Sequence, residues 1–110
     1  MDASDLDLTG QVALVTGGGG GLGRAIALCL ADMGADIAVI EAIPERCAEV
    51  SERIVERGRN ALAIEANVMD AQAVRGAFAQ VQERFGRLDV LVNNAGGVAK
   101  RDFAELQEKN

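Results

Sequence analysis

Val12-Ala13-Leu14-Val15-Thr16-Gly17-Gly18-Gly19-Gly20-Gly21-Leu22-Gly23-Arg24 is the stretch on which the fold turns, an apolar run that breaks into five consecutive glycines and resumes as a helical pattern. It reads as a strand, a turn and a helix N-terminus. A turn of this kind suits a phosphate group. The anion needs backbone N–H groups at close range with the positive end of a helix dipole behind them, and side chains would obstruct both. Glycine supplies φ > 0 for the tight turn and removes the Cβ where chain and phosphate touch. Gly18, Gly20 and Gly23 fit G-x-G-x-x-G, and Gly17, Gly21 and Gly23 fit G-x-x-x-G-x-G, so the run by itself leaves the register open. A flexible linker is the alternative, but linkers are rarely flanked by an apolar strand and by a pattern such as Ala25-Ile26-Ala27-Leu28-Cys29-Leu30.

Outward from that stretch, strands and helices alternate. Gln11 to Thr16 reads as a strand buried on both faces, and the helix from about Leu22 through Met33 is apolar almost all round, ending at Gly34 as a left-handed cap. A second strand within Ala35 to Glu41 ends in a carboxylate. Pro44 then occupies a first helical position, with Cys47, Val50, Ile54 and Val55 on one face and Gly58 at the close. A third strand at Ala61 to Ile64 precedes Glu65-Ala66-Asn67-Val68. Asp70 is the N-cap of a helix striped by Val74, Ala77, Phe78, Val81 and Phe85, and Leu88 to Asn93 reads as a fourth strand.

This alternation implies right-handed crossovers and an α/β fold, a Rossmann-type doubly wound parallel sheet of about four strands in the order 3-2-1-4. The sheet is incomplete beside a full doubly wound domain, and residues 1–110 are expected to form a single dinucleotide-binding domain. The gap between strands 1 and 4, where the chain reverses direction across the sheet, is where such folds bind ligands.

Composition narrows the function classes. The 110 residues are 49% apolar, enough for a modest core, and carry 11 basic and 17 acidic residues for a net charge of −6. The cations are scattered, so no nucleic-acid footprint or anionic-membrane patch is expected. No apolar run reaches the roughly 18 to 20 residues of a membrane span, and Met1-Asp2-Ala3-Ser4-Asp5 is acidic where a signal peptide is basic, so a cytoplasmic protein is expected. Cys29 and Cys47 form no C-x-x-C and read as two reduced core thiols, with no metal site.

Glu41 stands 18 residues beyond Gly23, at the end of strand 2. A carboxylate there can accept both ribose hydroxyls of an adenosine and would repel a 2′-phosphate, which favours NAD over NADP.

Asn93-Asn94-Ala95-Gly96, directly after strand 4, resembles the turn of the short-chain dehydrogenase/reductase family, whose T-G-x-x-x-G-[IL]-G pattern is matched by Thr16-Gly17-Gly18-Gly19-Gly20-Gly21-Leu22-Gly23. Phe85-Gly86-Arg87-Leu88-Asp89-Val90-Leu91-Val92 is similar to the family's approach to that turn, and the resemblance covers about residues 8 to 104. It selects the G-x-x-x-G-x-G register.

The resemblance implies a role for each matched position. Gly17, Gly21 and Gly23 would shape the pyrophosphate turn, with Leu22 offering its backbone N–H, and Glu41 would bind the adenine ribose. Asn67-Val68 matches an Asp-Val pair that holds adenine; the acid is here an amide that still accepts through its oxygen. Asn93 would tie strand 4 to its neighbours, while Ala95 and Gly96 would admit the nicotinamide ribose. Gly20 stands where NADP-preferring members often carry a basic residue, and Gly18 to Gly20 would act as spacers.

The family moves hydride between the nicotinamide and an alcohol or ketone carbon, using a serine and a tyrosine in Y-x-x-x-K. This chain contains no tyrosine and no histidine, and Ser4 and Ser51 are its only serines. The catalytic residues are therefore expected to be absent from it, with the isolated chain inactive. An uncovered strand 4 implies a missing segment or a homo-oligomer. Two other readings remain at this point. One is a non-catalytic nucleotide-binding or association module, motivated by the absence of the family's catalytic Ser, Tyr and Lys. The other is a methyltransferase-like domain using S-adenosylmethionine, which leaves Asn93 to Gly96 unexplained.

Overall fold

The computed structural model describes residues 7–94. They form β1 (Val12–Thr16), α1 (Gly21–Asp32), β2 (Asp36–Glu41), α2 (Pro44–Glu56), β3 (Ala61–Glu65), α3 (Ala71–Phe85) and β4 (Val90–Asn93). All pairings are parallel, in the order β3-β2-β1-β4. Each strand enters roughly level with its neighbour, with Ala13 opposite both Ile37 and Val90 and Ile37 opposite Ala61. The strand order and the alternation are those the sequence predicts.

Parallel strands with helices on both faces must be apolar on both sides, which is why β1 is buried at all five positions. Ala13, Val15, Ile37 and Val39 face α1 and α2, joined by Ala27, Ala31, Val50 and Ile54. Val12, Leu14, Ala38 and Ile40 face α3, joined by Ile64, Ala77 and Val81. The chain runs outward from β1 through β2 to β3, and α3 then returns it across the opposite face to β4. The carboxyl ends of β1 and β4, Thr16 and Asn93, lie side by side there.

Several local expectations change. α1 buries only Gly23, Ala27 and Ala31, a line of small residues at i, i+4 and i+8 that lets the helix lie close to the sheet. Leu22 is 68% exposed and Cys29 is also exposed. Cys29 is not a core thiol because two residues from Ala27 or Ala31 is about 200° of helical rotation. Cys47 is half-buried. Val55 is exposed rather than packed, since it lies one residue beyond the Val50–Ile54 line.

The helix ends behave as read. Asp70 accepts from the N–H groups of Gln72 at 3.0 Å and Ala73 at 3.2 Å, Pro44 opens α2, and Gly34 follows α1 with φ +107°. β4 begins at Val90 rather than Leu88, because Asp89 is engaged with β1. The Val12 N–H donates to Asp89 Oδ2 at 2.8 Å and the Asp89 N–H returns to the Val12 carbonyl at 2.9 Å. Arg87 donates to both carboxylate oxygens at 2.8 Å, which holds the Asp89 carboxyl below the usual carboxylate range, helped by the Val12 amide.

Candidate functional site

The residues singled out from the sequence converge at the carboxyl ends of the strands. Gly17 and Gly21 both take positive φ, +65° and +54°, so the turn uses the left-handed region at the two glycines the G-x-x-x-G-x-G register selects. Gly23 answers a different demand. A Cβ there would lie 2.0 Å from the Gly17 carbonyl oxygen and 2.7 Å from Asn94 Nδ2, so the first turn of α1 folds back against the loop only with a bare backbone. Gly20 caps α1 with no side-chain bond, and the first turn holds no acid. Its free N–H groups and dipole make a cradle for an anion.

β2 supplies the neighbouring wall. The Gly17 N–H donates to the Ile40 carbonyl at 2.7 Å. Glu41 is 6% exposed, and its carboxylate is held by main chain on both sides: the Gly19 N–H donates to Oε1 at 3.0 Å and the Ile43 N–H to Oε2 at 3.0 Å. A carboxylate oxygen accepts more than one bond, so these ties leave acceptor capacity for ribose hydroxyls.

The expected spacers have packing duties of their own. A Cβ at Gly18 would lie 2.6 Å from Val39 Cγ1, and one at Gly19 would lie 2.5 Å from Glu41 Cγ and 2.8 Å from Arg46 Cβ. Only at Gly20 is the obstacle a flexible tip, Arg46 Nη1 at 2.9 Å. No feature of the sequence distinguishes these three glycines; Val39 and Glu41 of β2 and Arg46 of α2, 21 to 27 positions away, make the difference.

Asn67 follows β3 and is exposed; its Oδ1 accepts from the Met69 N–H at 2.9 Å, forming a local turn ahead of the Asp70 cap. A second lone pair remains for a ligand. Val68 is half-buried beside it in sequence.

At the end of β4, Thr16 Oγ1 lies 3.1 Å from Asn93 Oδ1 and 3.3 Å from the Val92 carbonyl as donor, and accepts from the Asn94 N–H at 2.9 Å. Thr16 thus links β1 to β4 at the switch point. Its place at the head of the glycine motif is the one signal of this link in the sequence. Ala95 and Gly96 lie outside the described residues.

Cys47 lies against the same wall, donating to the Glu41 carbonyl at 3.4 Å. Burial pushes its thiol pKa up, and the Glu41 and Glu65 carboxylates add to the shift, so it remains a neutral thiol and a poor nucleophile. Among the described residues no cluster of His, Cys, Asp and Glu could hold a metal, and no helix is long and apolar enough to cross a membrane.

A parallel α/β sheet in the order β3-β2-β1-β4, with a glycine turn after β1 and an acid ending β2, defines a Rossmann-like class of domain. Residues 11–110 match the short chain dehydrogenase family, and the chain belongs to it. It is 51% identical over 85 residues to the 3-oxoacyl-[acyl-carrier-protein] reductase FabG of Staphylococcus aureus, covering 76% of this chain and 35% of that protein. The structure superposes on hydroxysteroid dehydrogenase from Escherichia coli with a TM-score of 0.83 at 30% identity, over 93% of this chain and 43% of the other. It also superposes on carveol dehydrogenase from Mycobacterium avium in complex with NAD, with a TM-score of 0.78 at 32% identity, over 89% of this chain and 40% of the other. The chain therefore spans well under half the length of these relatives.

Proposed function

We propose that residues 1–110 form the dinucleotide-binding domain of an oxidoreductase that oxidises an alcohol or reduces a ketone, and that this domain prefers NAD to NADP. Gly17, Gly21 and Gly23 shape the turn around the pyrophosphate, with the Leu22 backbone N–H donating to it. Glu41 accepts from the adenosine ribose, Asn67 and Val68 hold the adenine, and Asn93, Ala95 and Gly96 border the nicotinamide ribose. When bound, the nicotinamide supplies the hydride acceptor or donor.

This chain's own contribution is to bind and orient. The cradle at Gly20 to Gly23 accepts the anion without a competing side chain, and Glu41 sets which ribose can enter. The acid/base tyrosine of the family has no counterpart among the 110 residues, so proton transfer to the substrate oxygen falls to the remainder of a longer protein. That remainder, or a second copy, would also cover the half-buried β4 edge.

The observation that carries the cofactor preference is the buried Glu41 carboxylate against the glycine turn, where a 2′-phosphate would meet like charge. Titration calorimetry with NAD and NADP tests it. NAD should bind at least about tenfold more tightly, a difference of about 1.4 kcal/mol; equal affinities, or tighter NADP, would overturn the preference.

A further inference from the structure

We propose that Glu41 is also a positioning residue that locks the glycine turn into its binding conformation before any dinucleotide arrives. The proposal rests on the reading above for its ligand, and on three observations for the lock itself.

The first is connectivity. Both carboxylate oxygens are already committed to main-chain donors, Gly19 N–H and Ile43 N–H, each at 3.0 Å. The Gly19 bond spans 22 residues and is buried, and among the described residues it is the one side-chain hydrogen bond that reaches Gly17 to Gly20. A group that served only a ribose would have no reason to hold the glycine turn through one oxygen and the start of α2 through the other.

The second is fit. Gly19 lies so close to Glu41 that a Cβ would be 2.5 Å from Cγ and 2.7 Å from Oε1, and a Cβ at Gly18 would strike Val39 of the same strand. The turn is seated on β2 by bare backbone, and the carboxylate closes over it. Position 19 and position 41 therefore act as a pair.

The third is entropy. Five consecutive glycines are the part of this chain with the most conformational freedom to lose. A turn left disordered must be ordered at the moment of binding, which lowers affinity; one already held by buried, charge-assisted bonds does not. Main-chain bonding of Gly17 to Ile40 fixes one end, and Glu41 fixes the middle.

A lock and a ribose acceptor respond differently to one substitution. In Glu41→Gln one oxygen and one NH2 face the two N–H donors, so either the Gly19 tie is lost outright or it persists without its charge assistance, and Gly19 is held more weakly in both cases. The test measures amide exchange at Gly19 by NMR in the cofactor-free chain, and the Kd of NAD and of an analogue whose adenosine lacks the 2′ and 3′ hydroxyls. Gly19 exchange should be at least about tenfold faster in E41Q than in the wild type, and both dinucleotides should lose about tenfold in affinity. The lock is overturned if Gly19 exchanges equally fast in the two proteins, or if the variant weakens NAD and leaves the dideoxy analogue untouched.

If E41Q fails to fold, Gly19→Ala presses the carboxylate away while keeping its charge, and the same equal loss for both ligands is expected; a loss confined to NAD would overturn the lock. Wild-type exchange at Gly19 no slower than that of an unstructured glycine would overturn it without any variant. Failure of the wild type to bind either dinucleotide would instead overturn the function proposed above, while the exchange measurement would still decide the lock.

Discussion

β1 and β4 lie side by side in one sheet, yet β1 is buried at every residue and β4 at none. The glycine turn that leaves β1 is seated on β2, with Glu41 closing over Gly19, whereas the end of β4 meets its neighbour along the strand ladder and at the Thr16 hydroxyl. The contrast shows how the chain divides its work. The side that would receive the adenosine and pyrophosphate is packed from residues within β1, α1, β2 and α2, so it is preformed. The nicotinamide side is bordered by a strand whose outer edge these residues leave open.

The largest break in that comparison should come from Gly23→Val. Its Cβ would fall 2.0 Å from the Gly17 oxygen, an overlap that must open the turn or displace α1. We expect NAD affinity to fall more than about 100-fold, with a stability loss of about 3 kcal/mol or more in urea unfolding. A variant that binds normally would show that the turn is not seated as described.

Next in size is the paired truncation of Leu14 and Leu91, which lie opposite each other on β1 and β4. Leu14→Ala empties a fully buried site and should cost about 2–5 kcal/mol; Leu91→Ala removes a half-buried side chain and should cost roughly half of that. Equal losses by chemical denaturation would mean that β4 is covered after all.

The Asp89 clamp between the two strands gives a smaller and pH-dependent effect. Its folded-state pKa is depressed, chiefly by the Arg87 hydrogen bonds and then by the Val12 amide. The stability it contributes is therefore present above the ordinary carboxylate value of 3.8 and is lost as pH falls through the lower folded value. Wild type and Asp89→Asn should differ in thermal midpoint near neutral pH and converge in acid below about pH 4. A constant difference across that range would assign the clamp to shape rather than charge.

The smallest effect is chemical. Cys29 on the outer side of α1 should be alkylated readily, and Cys47, half-buried with its pKa raised beside Glu41 and Glu65, should lag behind it at neutral pH. Peptide mapping after brief iodoacetamide treatment reads the order. Faster reaction at Cys47 would mean that the wall behind Glu41 opens in solution.

Much of this was legible in residues 12 to 41. An apolar run that meets glycines and then a helix has few physical solutions, and the later strands and caps follow from Gly34, Pro44, Gly58 and Asp70 by ordinary turn and cap chemistry. The helix faces were less legible. An all-round apolar α1 pattern concealed a buried stripe of only Gly23, Ala27 and Ala31, because small residues mark close approach rather than hydrophobicity. For the same reason Cys29 lies outside the core, while Val55 lies one residue beyond the Val50–Ile54 line of α2.

The sequence by itself determined the strand order and set the glycine run and Glu41 at strand ends, because periodicity, chain reversal and a carboxylate at a fixed distance are properties of the chain read in one dimension; the register of the glycine motif came from the family resemblance at Asn93 to Gly96. Only the tertiary structure decided that Gly18 and Gly19 are needed as glycines, that Glu41 is bound by the turn it faces, and that Thr16 joins β1 to β4. These depend on atoms brought within about 3 Å across 21 to 78 residues of chain, and no local pattern encodes such a distance.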